Sequence, residues 1–436
     1  RKESVMIPLW IRRYAEFRIL FWAAILAGLV CGTMPLASVC AETKIVPLAN
    51  LSGRYDSNIF NQPAQLLAPG TQIDDFQTSV GGGARVLYNT RDVEAILDAG
   101  GSFNVYVQNT NLNFFAMNVN GSVGLDRWVD QYVRGANLRI VESLRYSPDP
   151  PAFLGGIRNI IQEEDTFLRG VAAFRSNQII NTTRIEGKYP LSRDLALEGG
   201  YTFGLRHYGR LEGGEGLATT TTLFNTMTHT WFGGPRYQLT RNDSVAALYR
   251  QTFFTQSRST GSRTFSTNLI ALAGDYTKVF QEWRLSVQGG LTFAEPVGRT
   301  FPSGSIEVRT QPERDTVVTL TLSREGRPIG FLQGGAMISN VARVGISHRI
   351  YERLTVNGSV GYAYNELFPS TDSTIKNFTA LSRLSYKVTR TMSADITYLF
   401  MNFDVDRPEL EYQVSRHQVG LTLSIAMDPL GVDLWE

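Results

Sequence analysis

The side chains in this sequence that are best able to do chemistry are too widely separated to form a reactive site. The four histidines, His207, His229, His348 and His417, are scattered, and no two of them lie two or four positions apart, so the spacing predicts no metal site. A hydrolytic site would need a histidine near a serine. The nearest approach, Arg416–His417–Gln418, is followed by Val419. We therefore predict no catalytic residue, no metal and no cofactor.

Two acidic stretches are candidates for cation binding. Asp56 and Asn58 in the phrase YDSNIF could hold a cation, but both residue types readily bond their own backbone, which favours a role in ending a strand and capping a turn. The second stretch could bridge divalent cations or form a solvated loop, and the solvated loop is the favoured interpretation. Its residues are Asp404, Asp406, Glu409 and Glu411.

The composition of the chain excludes several classes of protein. The 436 residues include 42 basic and 40 acidic side chains, so the two signs nearly balance and no large positive charge attracts nucleic acid. Only 19% of residues are charged, while glycine (40), tyrosine (18) and phenylalanine (24) are frequent, a mixture that suits strands and turns. Both cysteines, Cys31 and Cys40, lie near the N-terminus, so the rest of the chain has no disulfide or thiolate chemistry.

Residues 1–41 have the pattern of a cleaved secretory signal peptide. Basic residues precede an apolar run from Ile19 to Val30, and small residues then end at Ala41. The run is shorter than the ~20 residues of a membrane span, so an uncleaved anchor is the less favoured interpretation. We expect residues 42–436 to form a single domain beyond the inner membrane.

From Leu48 onward, apolar residues recur with a period of two rather than 3.6. Residues 93–107, 115–126, 195–206, 284–293 and 354–365 show this alternation clearly. The alternating segments are longer than the ~5–6 residues of a typical soluble strand, and ~10 residues is the length of a transmembrane β-strand. A sheet in lipid must close on itself because no edge can be left unpaired. The pattern predicts an all-β, transmembrane antiparallel β-barrel of about 18 strands (16–18).

The connections between these segments alternate between short and long, as in barrels with short periplasmic turns and long extracellular loops. We place the short ones near 89–92, 128–131, 191–194, 240–243, 281–282, 312–315, 351–353 and 389–391. We place the long ones at 61–75, 108–112, 147–165, 209–221, 257–264, 295–304, 325–335, 365–376 and 404–411.

A phrase of the form Tyr–x–aliphatic–Ser/Thr–Arg recurs at the short connections. It reads YPLSRDL from Tyr189, YQLTRNDS from Tyr237 and YKVTRTM from Tyr386, with weaker versions from Tyr88 and Tyr351. In the three full versions, a second tyrosine follows eight residues after the turn arginine and has the parity of the lipid-facing side. The two sets predict two aromatic girdles, formed by Tyr189, Tyr201, Tyr237, Tyr249, Tyr386 and Tyr398.

Two further stretches resemble known barrel proteins. Residues 418–425, QVGLTLSI, are similar to the insertion signal of last barrel strands, although the chain continues to Trp435. The stretch LSGRYDSNIF (51–60) and the repeated tyrosine–arginine phrase resemble the porin-like outer-membrane β-barrel proteins associated with exopolysaccharide export and exosortase loci. The resemblance implies an outer-membrane conduit or accessory barrel for a secreted polysaccharide, and it supplies no catalytic residue.

The same parity predicts which charged side chains face the barrel interior. Basic side chains outnumber acidic ones, which could favour an anionic or polar carbohydrate or simply solvate a water-filled lumen. The basic set is Arg54, Arg85, Arg139, Arg145, Arg184, Lys188, Arg206, Arg284, Arg309, Arg343, Arg349 and Arg416. The acidic set is Asp56, Glu94, Asp98, Glu186, Glu198, Glu307 and Asp395.

These patterns predict a passive, water-filled channel in the outer membrane of a Gram-negative bacterium, with both termini in the periplasm, that serves export of an extracellular polysaccharide. A diffusion porin for small anions or sugars is one alternative, and a plugged structural or docking barrel is the other. The Pro-rich stretch 147–165 could fold inward as a constriction or dock a partner. Expected partners are membrane lipid and lipopolysaccharide, the barrel-assembly machinery, periplasmic polysaccharide-export components and the sugar cargo, with no nucleic acid.

Overall fold

The described part of the chain is built almost entirely from antiparallel strands. The computed structural model describes residues 42–67, 69–147, 176–211, 224–258, 264–295, 297–328, 336–368, 373–406 and 411–431. In order along the chain these contain β1 (Glu42–Asp56), β2 (Asp75–Asn89), β3 (Glu94–Tyr106), β4 (Phe114–Gly124), β5 (Asn137–Ser147), β6 (Ser176–Pro190), β7 (Leu195–Leu211), β8 (Phe224–Gln238), β9 (Asp243–Arg258), β10 (Thr264–Val279), β11 (Trp283–Glu295), β12 (Arg299–Glu313), β13 (Thr316–Pro328), β14 (Ala336–Tyr351), β15 (Leu354–Phe368), β16 (Thr374–Lys387), β17 (Met392–Asp406), β18 (Tyr412–Ala426) and the two-residue β19 (Leu430–Gly431).

Each strand pairs with its sequence neighbours, and the first long strand pairs with the last. β1 is antiparallel to β2 and also to β18, from Leu48 opposite Ala426 to Asp56 opposite Gln418. The sheet is therefore a closed barrel of eighteen long strands among the described residues. This confirms the fold class and the strand count that the period-two pattern predicts. Segments 265–280 and 303–324, in which the two-residue alternation of the sequence is weak, lie largely within β10, β12 and β13 of the same sheet.

The two faces of the sheet differ in polarity as the alternation requires. Side chains alternate between faces along a strand, and directly opposite residues share a face. Val80 on β2 lies opposite Leu51 on β1 and opposite Phe103 on β3, so the three side chains share a face. All three are large, apolar and about half-exposed, which identifies this face as the outer one. Arg85 and Asp98 lie opposite each other on the other face. The inner face is thus the polar one.

Short turns lie at one end of the barrel, which we call the turn end. Most of the longer connections lie at the other end, which we call the loop end.

Two of the predicted connections are wrong. The long connection expected at 295–304 has only three residues, because β11 continues to Glu295 and β12 starts at Arg299. The short connection expected near 128–131 spans residues 125–136 and includes a short α-helix, Asp126–Asp130. The stretch 147–165 lies outside the described residues after Ser147, as do residues 1–41.

The hydroxyl of the recurring Ser/Thr closes the turns that the tyrosine–arginine phrase marks. Thr240 Oγ1 accepts the backbone N–H groups of Asn242 and Asp243 at 3.2 and 3.1 Å. Ser192, Thr389 and Thr90 accept the N–H groups two and three residues ahead in the same way. The hydroxyl therefore satisfies donors that have no ladder partner in the turn. This explains why the phrase keeps Ser or Thr at that position.

Replacing Thr240 with alanine should remove these turn bonds and leave the strands intact. We expect Thr240→Ala to lower the free energy of unfolding by about 1 kcal/mol, the usual net value of such bonds. Thr240→Ser keeps the hydroxyl and should stay near wild type. Urea unfolding in lipid vesicles, followed by tryptophan fluorescence, measures both; equal losses in the two variants would contradict the capping role.

At the loop end the barrel wall separates into two layers between β12 and β13. Pairing of these strands ends at Gly304 opposite Arg324. β12 nevertheless stays paired with β11 to Arg299, and β13 stays paired with β14 to Pro328. Pro302 and Pro328 lie in the separated segments and have no backbone N–H, so each edge has one donor fewer for continued pairing. The two prolines therefore favour the split.

Among the described residues, no helix is long and apolar enough to cross a bilayer.

Candidate functional site: the barrel interior

The structure places the predicted interior residues on the inner face by register. Inner-face pairs such as Arg85 opposite Asp98, Arg139 opposite Glu186 and Lys188 opposite Glu198 connect neighbouring strands. The other predicted basic residues follow the same alternation on their strands: Arg145, Arg184, Arg206, Arg284, Arg343 and Arg349. Glu94 has the inner-face parity of β3. Arg349 lies at the turn end, where it pairs with Asp315 at 2.5 Å.

Several interior cations are neutralised by carboxylates. Arg85 Nε donates to Asp98 Oδ1 at 2.6 Å, and Arg184 lies 2.5 Å from Glu186. Arg236, which the sequence analysis did not assign to the interior, bridges Glu198 at 2.8 Å and Asp275 at 2.9 Å. It passes over the small, buried Ala246, which lies between Arg236 and Asp275 in the register. The alternation Trp231–Gly233–Pro235–Tyr237 on the outer face could have identified Arg236, but its glycines weaken that signal.

The inner face is water-accessible at the turn end and packed at the loop end. Arg139, Arg250, Arg284 and Arg309, in the turn-end half, are exposed. In the loop-end half, inner-face side chains are buried on most strands, including Arg145 at 2% exposure and Met401 at 0%. The interior is therefore a charged, water-accessible cup that opens at the turn end.

A buried ion pair joins the first and last long strands at the loop end. Arg416 donates to both carboxylate oxygens of Asp56, with Nε–Oδ1 at 2.9 Å and Nη2–Oδ2 at 2.5 Å. Both side chains are 1% exposed, and Gln418 Nε2 also donates to Asp56. Asp56 additionally accepts the N–H of Asn58 at 3.0 Å, which ends β1. The turn-capping interpretation of Asp56 is correct, but the sequence did not reveal its larger role in barrel closure.

Where the wall splits, an apolar cluster joins its two layers. Phe254, Leu269, Ala294 and Phe301 lie on the inner face of β9–β12, while Ala336, Ile338 and Phe368 lie on the outer-parity face of β14 and β15. The Phe301 and Phe368 rings are 6.4 Å apart, and Arg299 lies 3.6 Å from Glu366. β14 and β15 therefore pass inside β9–β12 here. Packed sheets lie ~10 Å apart, so the inner layer occupies space within the barrel. The overlap therefore narrows the opening of the barrel at the loop end, which we call the mouth.

Gly326 allows the overlap of the two layers, because a Cβ at this position would lie 2.9 Å from Phe301 Cζ.

Removing the Phe301 ring should loosen the packing of β14 and β15 against β9–β12. We expect Phe301→Ala to cost about 3–5 kcal/mol of unfolding free energy, as for other buried phenylalanines, and to raise single-channel conductance. The control is Phe293→Ala on the outer face of β11, which is 36% exposed. Equal conductance in both variants would show that the overlap does not limit the mouth.

The six predicted girdle tyrosines all lie on the outer face. Tyr189, Tyr237 and Tyr386 are near the turn end and about half-exposed. Tyr201, Tyr249 and Tyr398 lie further along the following strands. Two of these bond a histidine on the neighbouring strand: Tyr201 Oη lies 2.7 Å from His229 Nδ1, and Tyr398 Oη lies 3.0 Å from His417 Nδ1.

The histidines therefore have structural neighbours rather than catalytic ones. Phe203 packs against His229, and Phe400 packs against His417, with ring centroids 5.2 and 4.8 Å apart. His348 lies 2.8 Å from Thr316 Oγ1. Among the described residues, no group of three or more His, Cys, Asp or Glu side chains could hold a metal ion.

The predicted acidic loop lies partly within a strand. Asp404 belongs to β17 and pairs with Lys376 at 3.3 Å, and Glu409 lies outside the described residues.

A buried carboxylate on β5 interrupts the apolar pattern of the outer face. Glu142 on β5 has outer-face parity, yet it is only 7% exposed. Thr183 donates to Glu142 Oε2 at 2.5 Å, and the Asn181 amide donates to Oε1. Two donors on β6 thus satisfy the buried charge. Alternation alone assigns this position to lipid, and burial shows that it is packed instead.

The chain is similar to one family model and to several solved structures. The sequence model of the family described as "Putative beta-barrel porin 2" matches residues 303–425. A search of curated proteins gave no match. Similar solved structures include OpdQ from Pseudomonas aeruginosa (TM-score 0.44, 11% identity, 89% of this chain and 98% of that chain) and OccAB3 from Acinetobacter baumannii (0.43, 12%, 88% and 99%). A third is the FrpB iron transporter from Neisseria meningitidis (0.43, 11%, 87% and 66%).

Similarities at this level say nothing about cargo. A closed sheet of eighteen long strands in the described residues, with an apolar, tyrosine-bounded outer face and a charged interior, has the features required of a strand-built membrane protein. By its fold, the described part of the chain is a closed antiparallel β-barrel of the membrane-spanning type, and its residues 303–425 resemble the β-barrel porin family named above.

Proposed function

We propose that this barrel is a passive outer-membrane conduit for an extracellular polysaccharide, and that its role is transport without catalysis. The observation that carries the proposal is the set of exposed arginines in the turn-end half of the interior. Arg139, Arg250, Arg284 and Arg309 form no ion pair with a described residue. An excess of positive charge in a confined aqueous space attracts anions, which favours an anionic or polar carbohydrate as cargo.

The orientation of the barrel is part of the same proposal. Outer-membrane barrels have short periplasmic turns and longer outer connections, so we assign the turn end and both termini to the periplasm. Cargo would then enter the exposed cup from the periplasm and leave through the narrower mouth. Periplasmic export components, lipopolysaccharide and the barrel-assembly machinery are the partners that this arrangement would require.

Burial at the loop end favours a second candidate, a plugged structural or docking barrel. Inner-face side chains there, including Arg145 and Arg416, are almost completely buried, so a continuous water path must involve movement near the mouth. A diffusion porin for small anions or sugars would also use the cationic cup. It would differ in passing small solutes without any polymer preference.

Single-channel recording in planar bilayers tests the conduit directly. We expect the purified barrel to conduct ions with a preference for anions and to be blocked by a charged oligosaccharide added from the turn end. Equal block by small sugars would favour the diffusion porin. A barrel that folds and inserts but never conducts would overturn the conduit and support the plugged barrel.

A further inference from the structure

Two arginines near the turn end lie directly opposite each other on neighbouring strands. Arg284 on β11 is paired with Arg309 on β12 in the register, and both side chains are exposed on the inner face. Directly opposite residues have Cβ atoms about 5 Å apart, so like charges at such positions destabilise a sheet. The sequence gives no sign of this juxtaposition, because the two residues are 25 positions apart and only the register brings them together.

The surrounding inner-face positions do not neutralise this pair. Arg284 lies opposite Val279 on its other side, and Arg309 lies opposite Thr319. Two carboxylates lie one same-parity position away. Glu307 lies toward the loop end, opposite Ser286, and Glu282 lies toward the turn end, where its backbone carbonyl accepts the N–H of Gln311. Among the described residues, neither carboxylate forms an ion pair with Arg284 or Arg309. By contrast, Arg85 and Arg184, elsewhere on the inner face, each have a bonded carboxylate. The Arg284–Arg309 pair is therefore a place where an external anion would relieve repulsion.

The wall beside Arg309 leaves space for more than a bare ion. Residues directly opposite one another on the next three strands continue from Arg309 to Thr319, Gly345 and Ser359, all on the inner face. A Cβ built at Gly345 would have its nearest neighbours, Gly358 O and Ser359 Cβ, at 3.9 and 4.0 Å. These three small residues form a shelf with two hydroxyl groups and no large side chain. A sugar ring on the shelf could hydrogen-bond the hydroxyls while its acidic group reaches the arginines.

We infer that Arg284 and Arg309 together bind one anionic group of a sugar chain, with the sugar ring on the Thr319–Gly345–Ser359 shelf. This site rests on the proposed conduit and adds the chemical class of its cargo, an acidic glycan. Two planar guanidinium groups can each offer paired N–H donors to one oxyanion, a geometry that a lysine cannot supply. At the turn end, the site would be the first contact for a chain entering from the periplasm.

Calorimetric titration of the detergent-solubilised barrel tests the site without requiring conduction. The probes are hexagalacturonate, the neutral maltohexaose and inorganic phosphate. We expect Arg284→Gln/Arg309→Gln to weaken hexagalacturonate binding about tenfold or more, because each charge-assisted bond is worth more than a neutral one. The matched control, Arg85→Gln/Arg184→Gln, removes the same charge from ion-paired positions and should weaken binding by less than about threefold.

A third variant separates the shelf from the charge. Gly345→Gln places a side chain on the shelf, so hexagalacturonate binding should weaken while phosphate binding stays at the wild-type level. Equal weakening in the two double variants would overturn the site, and so would maltohexaose binding as tightly as hexagalacturonate or no binding of hexagalacturonate to wild type. Binding that follows the expected pattern in a barrel that never conducts would overturn the proposed conduit and leave the site standing.

Discussion

Asp56→Ala should destabilise the barrel more than any other single carboxylate removal discussed above. The change leaves the guanidinium of Arg416 buried at 1% exposure without its ion-pair partner. Breaking a buried pair in this way costs about 3–5 kcal/mol, because the remaining charge has lost both water and its counter-charge. Since Asp56 and Arg416 lie on β1 and β18, the loss falls on barrel closure. Urea unfolding in lipid vesicles, with heat-dependent gel mobility as a second readout, measures it.

The matched control is Asp98→Ala, which breaks a pair of similar geometry with Arg85, whose side chain is 41% exposed. Water can solvate the freed Arg85, so we expect a loss below about 1 kcal/mol. A second variant, Asp56→Ala/Arg416→Met, removes both charges and should recover much of the stability lost by Asp56→Ala. Equal losses for Asp56→Ala and Asp98→Ala would show that the buried pair is not what closes the barrel.

Charge reversal at the water-accessible arginines should reverse the ion selectivity of the channel. Arg139, Arg250 and Arg284 are exposed on the inner face and form no ion pair with a described residue, so each contributes its full charge to the aqueous cup. We expect the Arg139→Glu/Arg250→Glu/Arg284→Glu variant to change an anion-preferring channel into a cation-preferring one. The reversal potential under a potassium chloride gradient measures the change.

The control for this experiment reverses the charge of three arginines that lie outside the lumen. Arg193→Glu/Arg241→Glu/Arg390→Glu changes the three arginines of the turn phrase, which lie in the turns rather than on the inner face. Their charges are screened by bulk salt over a distance of about 10 Å, so selectivity should keep its sign. A sign change in this control, or unchanged selectivity in the lumen variant, would contradict the assignment of the inner face.

The primary sequence was sufficient to predict the architecture because a barrel in lipid imposes a strict two-residue period. That period grouped Arg85, Arg139 and Glu198 on one face of the sheet, as the register also does, and the tyrosine–arginine phrase marked the hairpin turns at 191–194, 239–242 and 388–391. These features depend on neighbours along one strand or within one turn. The same reasoning failed at 295–304, where we expected a long connection, whereas strand pairing with β11 keeps residues 299–304 extended.

Only the tertiary structure decided which residues meet across strands. The Asp56–Arg416 pair joins positions 360 residues apart, and the Arg284–Arg309 pair depends on a register that a shift of one residue would destroy. The two-layer wall around Phe301 places outer-parity residues of β14 and β15 in a packed core, which alternation cannot foresee. Local periodicity determines which face a side chain occupies, whereas register, closure and the overlap of layers determine what it contacts there.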